Sequence, residues 1–175
     1  MHSLIPAASR IYRFGNAPGA GSLVKMVNQL IVGVHIAVVA EAMAIGARVG
    51  ANLPALFEIV SCGVGNSTMF AARAPLMLKG DCTSSRSAVD NFVKDLAVVL
   101  EIGKTHRFPL PIAAAAHQQF LAAAAAGLGQ LDDAAVVQVY ERLADIDVTA
   151  AAGLQEFLTQ WFHALSLLSR YRSHR

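Results

Sequence analysis

A long apolar segment from about Gly21 to Val49 is the feature that most constrains how this chain folds. Its residues are mainly Leu, Val, Ile, Met and Ala, and alanine and leucine favour helices. Its longest charge-free stretch, Met26 to Ala40, is shorter than the ~20 apolar residues that a bilayer span needs. We therefore predict one long buried helix in a soluble protein, with no membrane span.

Four residues form a polar stripe at the start of this helix. Gly21, Lys25, Asn28 and Gln29 are spaced so that a helix of 3.6 residues per turn places them on one face. A lysine removed from water gives up its proton more readily, and a glycine one turn earlier leaves room for a ligand. The stripe is therefore a candidate proton-transfer site. The alternative is a lysine that reaches out to water beside two amides that hydrogen-bond to other helices.

The rest of the chain also predicts helices, because strand-like alternation is hard to find in it. Asn66 or Ser67 can cap a short helix through Arg73, and Pro75 is expected to begin another that ends at Lys79. The remaining predicted helices are Leu53 or Pro54 to Cys62, Ala88 to about Thr105, an alanine-rich helix from Pro111 to Ala126, and Ala134 to Leu143 with Asp132 as its cap. The predicted fold class is all-α, a helical bundle domain with one long N-terminal helix.

Charge and cysteine content exclude several classes of function. The formal charge is only +2 and three arginines lie in the C-terminal tail, so no basic patch indicates nucleic-acid binding. Cys62 and Cys82 form no CxxC motif, so we expect reduced thiols, buried or semi-buried, in a cytoplasmic chain. The histidines lack metal-ligand spacing, so no metal site is predicted. The N-terminus lacks the pattern of a signal peptide.

We divide the chain into a linker remnant over 1–15, a domain over 16–147 and an atypical amphipathic tail over 148–175. Within the tail, apolar residues recur at helical spacing and arginines follow. This pattern is compatible with a helix that binds a partner or a membrane surface. A helix that covers the domain or its dimer interface is the interpretation we favour. The residues of the apolar stripe are Leu154, Phe157, Leu158, Trp161, Phe162, Leu165 and Leu168.

Three separated motifs carry a resemblance to a known family. The run Pro18-Gly-Ala-Gly-Ser-x-x-Lys25-x-x-Asn28-Gln29 resembles the signature that opens the second domain of the β-hydroxyacid dehydrogenases, the family of 3-hydroxyisobutyrate dehydrogenase. Gly65-Asn66-Ser67-x-Met69-Phe70 and Gly80-Asp81…Arg86-Ser-Ala-Val-Asp90-x-Phe92-Val-Lys94-Asp95-Leu96 are most similar to the L-threonate dehydrogenases of that family. The motifs occur in the family's order, and the resemblance covers roughly Arg10 to Tyr140.

The resemblance implies a fold like the C-terminal domain of 6-phosphogluconate dehydrogenase and a role for five residues. Lys25 would be the catalytic acid/base that exchanges the substrate's hydroxyl proton, while Asn28 and Gln29 would orient the substrate. Lys94 would reach the nicotinamide end of NAD or NADP, and Asp95 would help to order the site. Without the resemblance, Lys94 and Asp95 would be interpreted as an exposed ion pair on a helix.

The glycine-rich strand–turn–helix that holds a dinucleotide pyrophosphate does not occur in this sequence. We therefore expect the chain to supply only half of an active site, to be inactive alone and to need a separate dinucleotide-binding domain. We also expect it to form a homo-oligomer. Two alternatives remain. One is a non-catalytic homodimerisation or partner-binding helical module. The other is an unrelated helical adaptor that uses the 153–170 stripe.

Overall fold

The computed structural model describes residues 19–83 and 87–153, and every regular element in those ranges is helical. This confirms the all-α prediction. A further helix begins at residue 148 and continues to the end of the described range. A π-helical turn, Ala124–Leu128, and a 3₁₀ turn, Asp133–Val136, precede the last of the named helices. These helices are α1 (Ala20–Arg48), α2 (Leu53–Cys62), α3 (Thr68–Lys79), α4 (Val89–Thr105), α5 (Pro111–Ala123) and α6 (Val137–Ala144).

Helix α1 is the centre of the domain, and α3, α4, α5 and α6 all pack against it. Ile36, Ala40 and Met43 are fully buried on its inner face. Gly33 allows close packing, because a Cβ there would lie 3.0 Å from a ring carbon of Phe92. By length and hydropathy alone α1 could cross a bilayer, although 44% of its most apolar window is buried inside the domain. Its packing is that of a core helix.

The N-terminal half of α1 is more exposed than the sequence led us to expect. Leu23 and Val27 are 52% and 50% exposed, and Ile31 is 47% exposed. The expectation that Lys25 sits on an otherwise buried helix is therefore wrong for the described part of the chain. The reason is that this end of α1 has α4 packed along one side of it, while its other sides face water.

Helix α3 begins as predicted but does not break where predicted. Ser67 is its N-cap, and its hydroxyl accepts a hydrogen bond from the Phe70 amide at 3.0 Å. We expected a new helix at Pro75, yet α3 runs through it without interruption. A proline inside a helix costs ~3 kcal/mol or more. Burial of Phe70, Ala74 and Met77 on one face of α3 offsets that cost and keeps the helix continuous.

The connection between α5 and α6 contains a buried ion pair. The predicted cap is confirmed, because Asp132 Oδ1 accepts a hydrogen bond from the Ala134 amide at 3.1 Å. The alanine-rich helix ends at Ala123, three residues earlier than predicted, and the chain then turns through Gly127 at φ 84°. Asp133 is fully buried, and both its oxygens accept hydrogen bonds from Arg73 on α3. Burial raises the pKa of Asp133, while the hydrogen bond from Arg73 opposes the rise.

Candidate functional site

Three of the five predicted site residues, Lys25, Gln29 and Asp95, come together where α1 and α4 meet, while Asn28 and Lys94 contact Gln29 and Asp95 but do not line the cavity there. The Gln29 side-chain amide donates a hydrogen bond to Asp95 Oδ2 at 2.8 Å, across 66 positions of sequence. A small cavity of about 160 Å³ opens beside this contact, and its lining includes Lys25, Gln29 and Asp95. Residues that the sequence motifs placed far apart therefore share one site.

A chain of hydrogen bonds fixes the polar groups of this site. Asn28 Nδ2 donates to Gln29 Oε1 at 3.1 Å, and Gln29 Nε2 donates in turn to Asp95. Lys94 Nζ lies 3.3 Å from the second oxygen of Asp95. Because an ionised carboxylate can only accept hydrogen bonds, Asp95 sets the orientation of the Gln29 amide. Asp95 also forms an ion pair with Lys94, whose side chain is 69% exposed.

Lys25 lines the cavity and makes no ion pair within the described residues. Its side chain is exposed, so this part of the chain does not provide the desolvation that we expected. Gly21 lies one turn earlier, and a Cβ at that position would meet nothing within 4 Å. The ammonium group therefore has open space in which to meet a ligand.

The arrangement suits recognition of a small hydroxylated anion. Lys25 lines the cavity together with the fixed Gln29 amide and Asp95 carboxylate, and Lys94 pairs with the same carboxylate. An ammonium can pair with a carboxylate, and a lysine can also exchange a proton with a hydroxyl group. The strand and glycine-rich turn that hold a pyrophosphate do not occur within 19–83 and 87–153.

The sequence interpretation missed three residues that line the cavity, Ser22, Met26 and Val98. Ser22 lies three residues before Lys25 and seven before Gln29, so the helical spacing that defined the stripe could have found it. The contact between Gln29 and Asp95 had no such signal, because spacing along one helix does not show which second helix lies beside it.

Other residues singled out in the sequence lie outside this site. His117 Nε2 lies 3.0 Å from the Val93 carbonyl oxygen, which is typical of a structural histidine. Both cysteines are free, but Cys62 is exposed rather than buried or semi-buried, while Cys82 is buried. Cys62 is exposed because it ends α2. The apolar stripe from Leu154 onward lies outside the described residues.

Comparisons with known proteins agree with this fold. Residues 19–140 match the family described as NAD-binding of NADP-dependent 3-hydroxyisobutyrate dehydrogenase. An L-threonate dehydrogenase of Cupriavidus necator is 52% identical over 78% of this chain and 46% of its own length. The L-threonate dehydrogenase of Escherichia coli K12 is 47% identical over 76% of this chain and 44% of its own length. A solved 3-hydroxyisobutyrate dehydrogenase from Salmonella typhimurium superposes with a TM-score of 0.73 at 49% identity, covering 75% of this chain and 46% of that one.

The fold and the comparisons together define a helical domain of the hydroxyacid dehydrogenase class. The chain belongs to the 3-hydroxyisobutyrate dehydrogenase family, as its motifs implied. This membership excludes the unrelated helical adaptor among our alternatives. The chain spans about half the length of the curated relatives that it matches.

Proposed function

We propose that this chain forms the substrate and dimerisation half of an NAD(P)-dependent dehydrogenase that oxidises L-threonate or a related sugar acid. The observation that carries the proposal is the Lys25 ammonium, unpaired within the described residues, beside a Gln29 amide that Asp95 holds in place. Two relatives named L-threonate dehydrogenase share about half of their matched residues with this chain, which supports the substrate class.

In this proposal each residue has a distinct task. When bound, NAD or NADP would supply the acceptor for the hydride of the carbinol carbon. Lys25, acting as a neutral amine, takes the hydroxyl proton as the carbinol is oxidised and becomes an ammonium group. Asn28 and Gln29 orient the substrate's oxygens, and the hydrogen bond from Gln29 to Asp95 limits the rotation of that amide. Lys94 contacts the cofactor, and Asp95 positions it.

Completion of the site requires a dinucleotide-binding domain. Such a domain would cover the exposed N-terminal half of α1 and withdraw Lys25 from water, which strengthens electrostatic interactions inside the site. The chain alone is then inactive. We propose a cytoplasmic location, and association into homo-oligomers through exposed apolar side chains of α1 and α5 outside that half, such as Val38 and Ile112.

A chimera tests the catalytic role. Residues 19–140 would replace the matching region of the Cupriavidus necator L-threonate dehydrogenase, and reduction of NAD would be followed with L-threonate as substrate. We expect turnover that depends on Lys25.

A second candidate function is a non-catalytic dimerisation module, which the exposed apolar face of α1 favours. A folded, dimeric chimera without turnover would support that candidate and contradict the catalytic proposal.

A further inference from the structure

Ser22 lies in the cavity between α1 and α4, and the proposed mechanism gives it no task. It lines the cavity together with Lys25, Gln29 and Asp95. At 3.6 residues per turn, Ser22, Lys25 and Gln29 fall within an arc of about 60° around α1. The Ser22 side chain therefore borders the same space as the residues proposed for proton transfer and substrate orientation.

The hydroxyl group of Ser22 is available to a ligand. The Ser22 backbone amide donates to the Gly19 carbonyl oxygen at 2.9 Å, as expected in the first turn of a helix. Its side chain is exposed and makes no hydrogen bond in the part of the chain that the structure describes. Ser67 differs, because its hydroxyl caps α3. A serine hydroxyl can both donate and accept, so Ser22 can pair with a hydroxyl group in either direction.

The order of the side chains along α1 indicates how a substrate would lie in the cavity. Ser22 is about 4.5 Å before Lys25 along the helix axis, and Gln29 is about 6 Å after it. Gln29 Nε2 donates one hydrogen to Asp95, and its second hydrogen is a donor that suits a substrate carboxylate. With the carboxylate on the Gln29 side and the reacting hydroxyl at Lys25, the other end of the substrate faces Ser22.

The remaining lining of the cavity suits the carbon chain of a short acid. Met26 on α1 and Val98 on α4 also line it, and Val98 lies one turn after Asp95. Their apolar side chains can pack against the C–H groups of a substrate whose oxygens face the polar residues. The volume of about 160 Å³ is below the ~300–1,000 Å³ of sites for drug-sized ligands. The cavity therefore suits a small hydroxylated acid.

We propose that Ser22 is a specificity-determining residue that hydrogen-bonds the terminal hydroxyl group of a short sugar acid. The inference rests on the proposed function, because it needs the reacting carbinol at Lys25. An acid that ends in a methyl group would leave Ser22 without its partner, and a site that hydrogen-bonds a substrate hydroxyl discriminates against analogues that lack it. Ser22 thereby favours sugar acids over acids with a methyl group at this end.

A double-mutant cycle in the chimera tests this role. Ser22→Ala would be assayed with L-threonate and with a deoxy analogue that ends in a methyl group, its other hydroxyl groups unchanged. We expect kcat/KM for L-threonate to fall about 3- to 10-fold, the effect of one neutral hydrogen bond, and kcat/KM for the deoxy analogue to change less than about twofold. The preference for L-threonate over the analogue should therefore fall by about the same 3- to 10-fold.

Ser87→Ala is the matched control. It removes a serine hydroxyl that does not line the cavity and that accepts from Asn91 Nδ2 at 3.5 Å, so it should leave the preference unchanged. Alanine favours helices and Ser22 is exposed, so the fold of Ser22→Ala should survive, which circular dichroism would verify. Equal losses with both substrates would overturn the proposal, by assigning Ser22 to the support of Lys25. A higher KM for the cofactor with unchanged preference would also overturn it, by placing Ser22 against the cofactor.

The chimera with Ser22 in place separates this inference from the proposed function. If that chimera oxidises neither acid, the proposed function fails and this inference fails with it. If it oxidises L-threonate and Ser22→Ala keeps the full preference for L-threonate, the proposed function stands and the role of Ser22 alone is wrong.

Discussion

Substitution of Arg73 by methionine should destabilise the domain more than any exposed substitution in it. Arg73 is 7% exposed, and Asp132 and Asp133 are fully buried beside it. Arg73 Nη2 donates to Asp133 Oδ2 at 3.0 Å, its Nε donates to the other oxygen, and the same Nε lies 3.8 Å from Asp132 Oδ1. Methionine fills similar space but leaves two buried carboxyl groups without the cation that faces them.

The expected loss follows from the cost of a broken buried ion pair. Removal of one partner typically costs ~3–5 kcal/mol, because it leaves a charge buried without compensation. For a chain of this size, 1 kcal/mol shifts the melting temperature by roughly 2–4 °C. The melting temperature should therefore fall by about 6–20 °C. In Arg73→Met the pKa of Asp133 rises further above its value in the unfolded chain, so the loss should be smaller at pH 5 than at pH 8.

Guanidinium unfolding and calorimetry at both pH values measure this effect. Arg73→Lys keeps the charge but loses the paired hydrogen bonds, so it should fall between the wild type and Arg73→Met. The double variant Arg73→Met with Asp133→Leu should recover part of the loss, because it removes the unpaired charge. A loss below about 1 kcal/mol for Arg73→Met, the same at both pH values, would refute the reasoning, since a change of that size is typical of a surface position.

Three further predictions concern the isolated chain and the chimera. Calorimetric titration of the isolated chain with NAD should show weak binding or none, because the pyrophosphate contacts are not encoded in it; micromolar affinity would contradict this. Sedimentation at micromolar concentration should show a homodimer, because α1 exposes Leu23, Val27 and Ile31, and a clean monomer would count against it. In the chimera, Lys94→Ala should raise the KM for the cofactor more than it lowers kcat, and an equal loss in both would assign Lys94 to the chemistry instead.

The helices could be predicted from the sequence because their signals are local. The long apolar run predicted the first and last residues of α1 to within one position. Ser67 and Asp132 cap the helical turns that follow them, as their side chains predict. The continuity of α3 through Pro75 could not be predicted in the same way. It depends on the burial of Phe70, Ala74 and Met77 against other helices, which a local rule about proline does not contain.

The candidate site was only partly predictable, for a similar reason. Helical spacing placed Lys25, Asn28 and Gln29 on one face, and the family resemblance added Lys94 and Asp95. The hydrogen bond from Gln29 to Asp95 joins two helices, so no spacing along either helix predicts it. The exposure of Lys25 was also unexpected. The apolar composition of the helix predicts that its side chains are buried, but it does not show which neighbouring element would bury them. The roles of these five residues remain predictions.

The kinetics of the chimera with Lys25→Arg test the central claim most directly. Arginine keeps a positive charge of similar reach but stays protonated, so it cannot accept the hydroxyl proton. A side chain that transfers a proton contributes ~10²–10⁴ in rate, so kcat should fall by that factor in Lys25→Arg and nearly as far in Lys25→Ala, with the fold intact by circular dichroism. Near-normal turnover of Lys25→Arg would contradict the acid/base role and leave Lys25 as an electrostatic or structural residue.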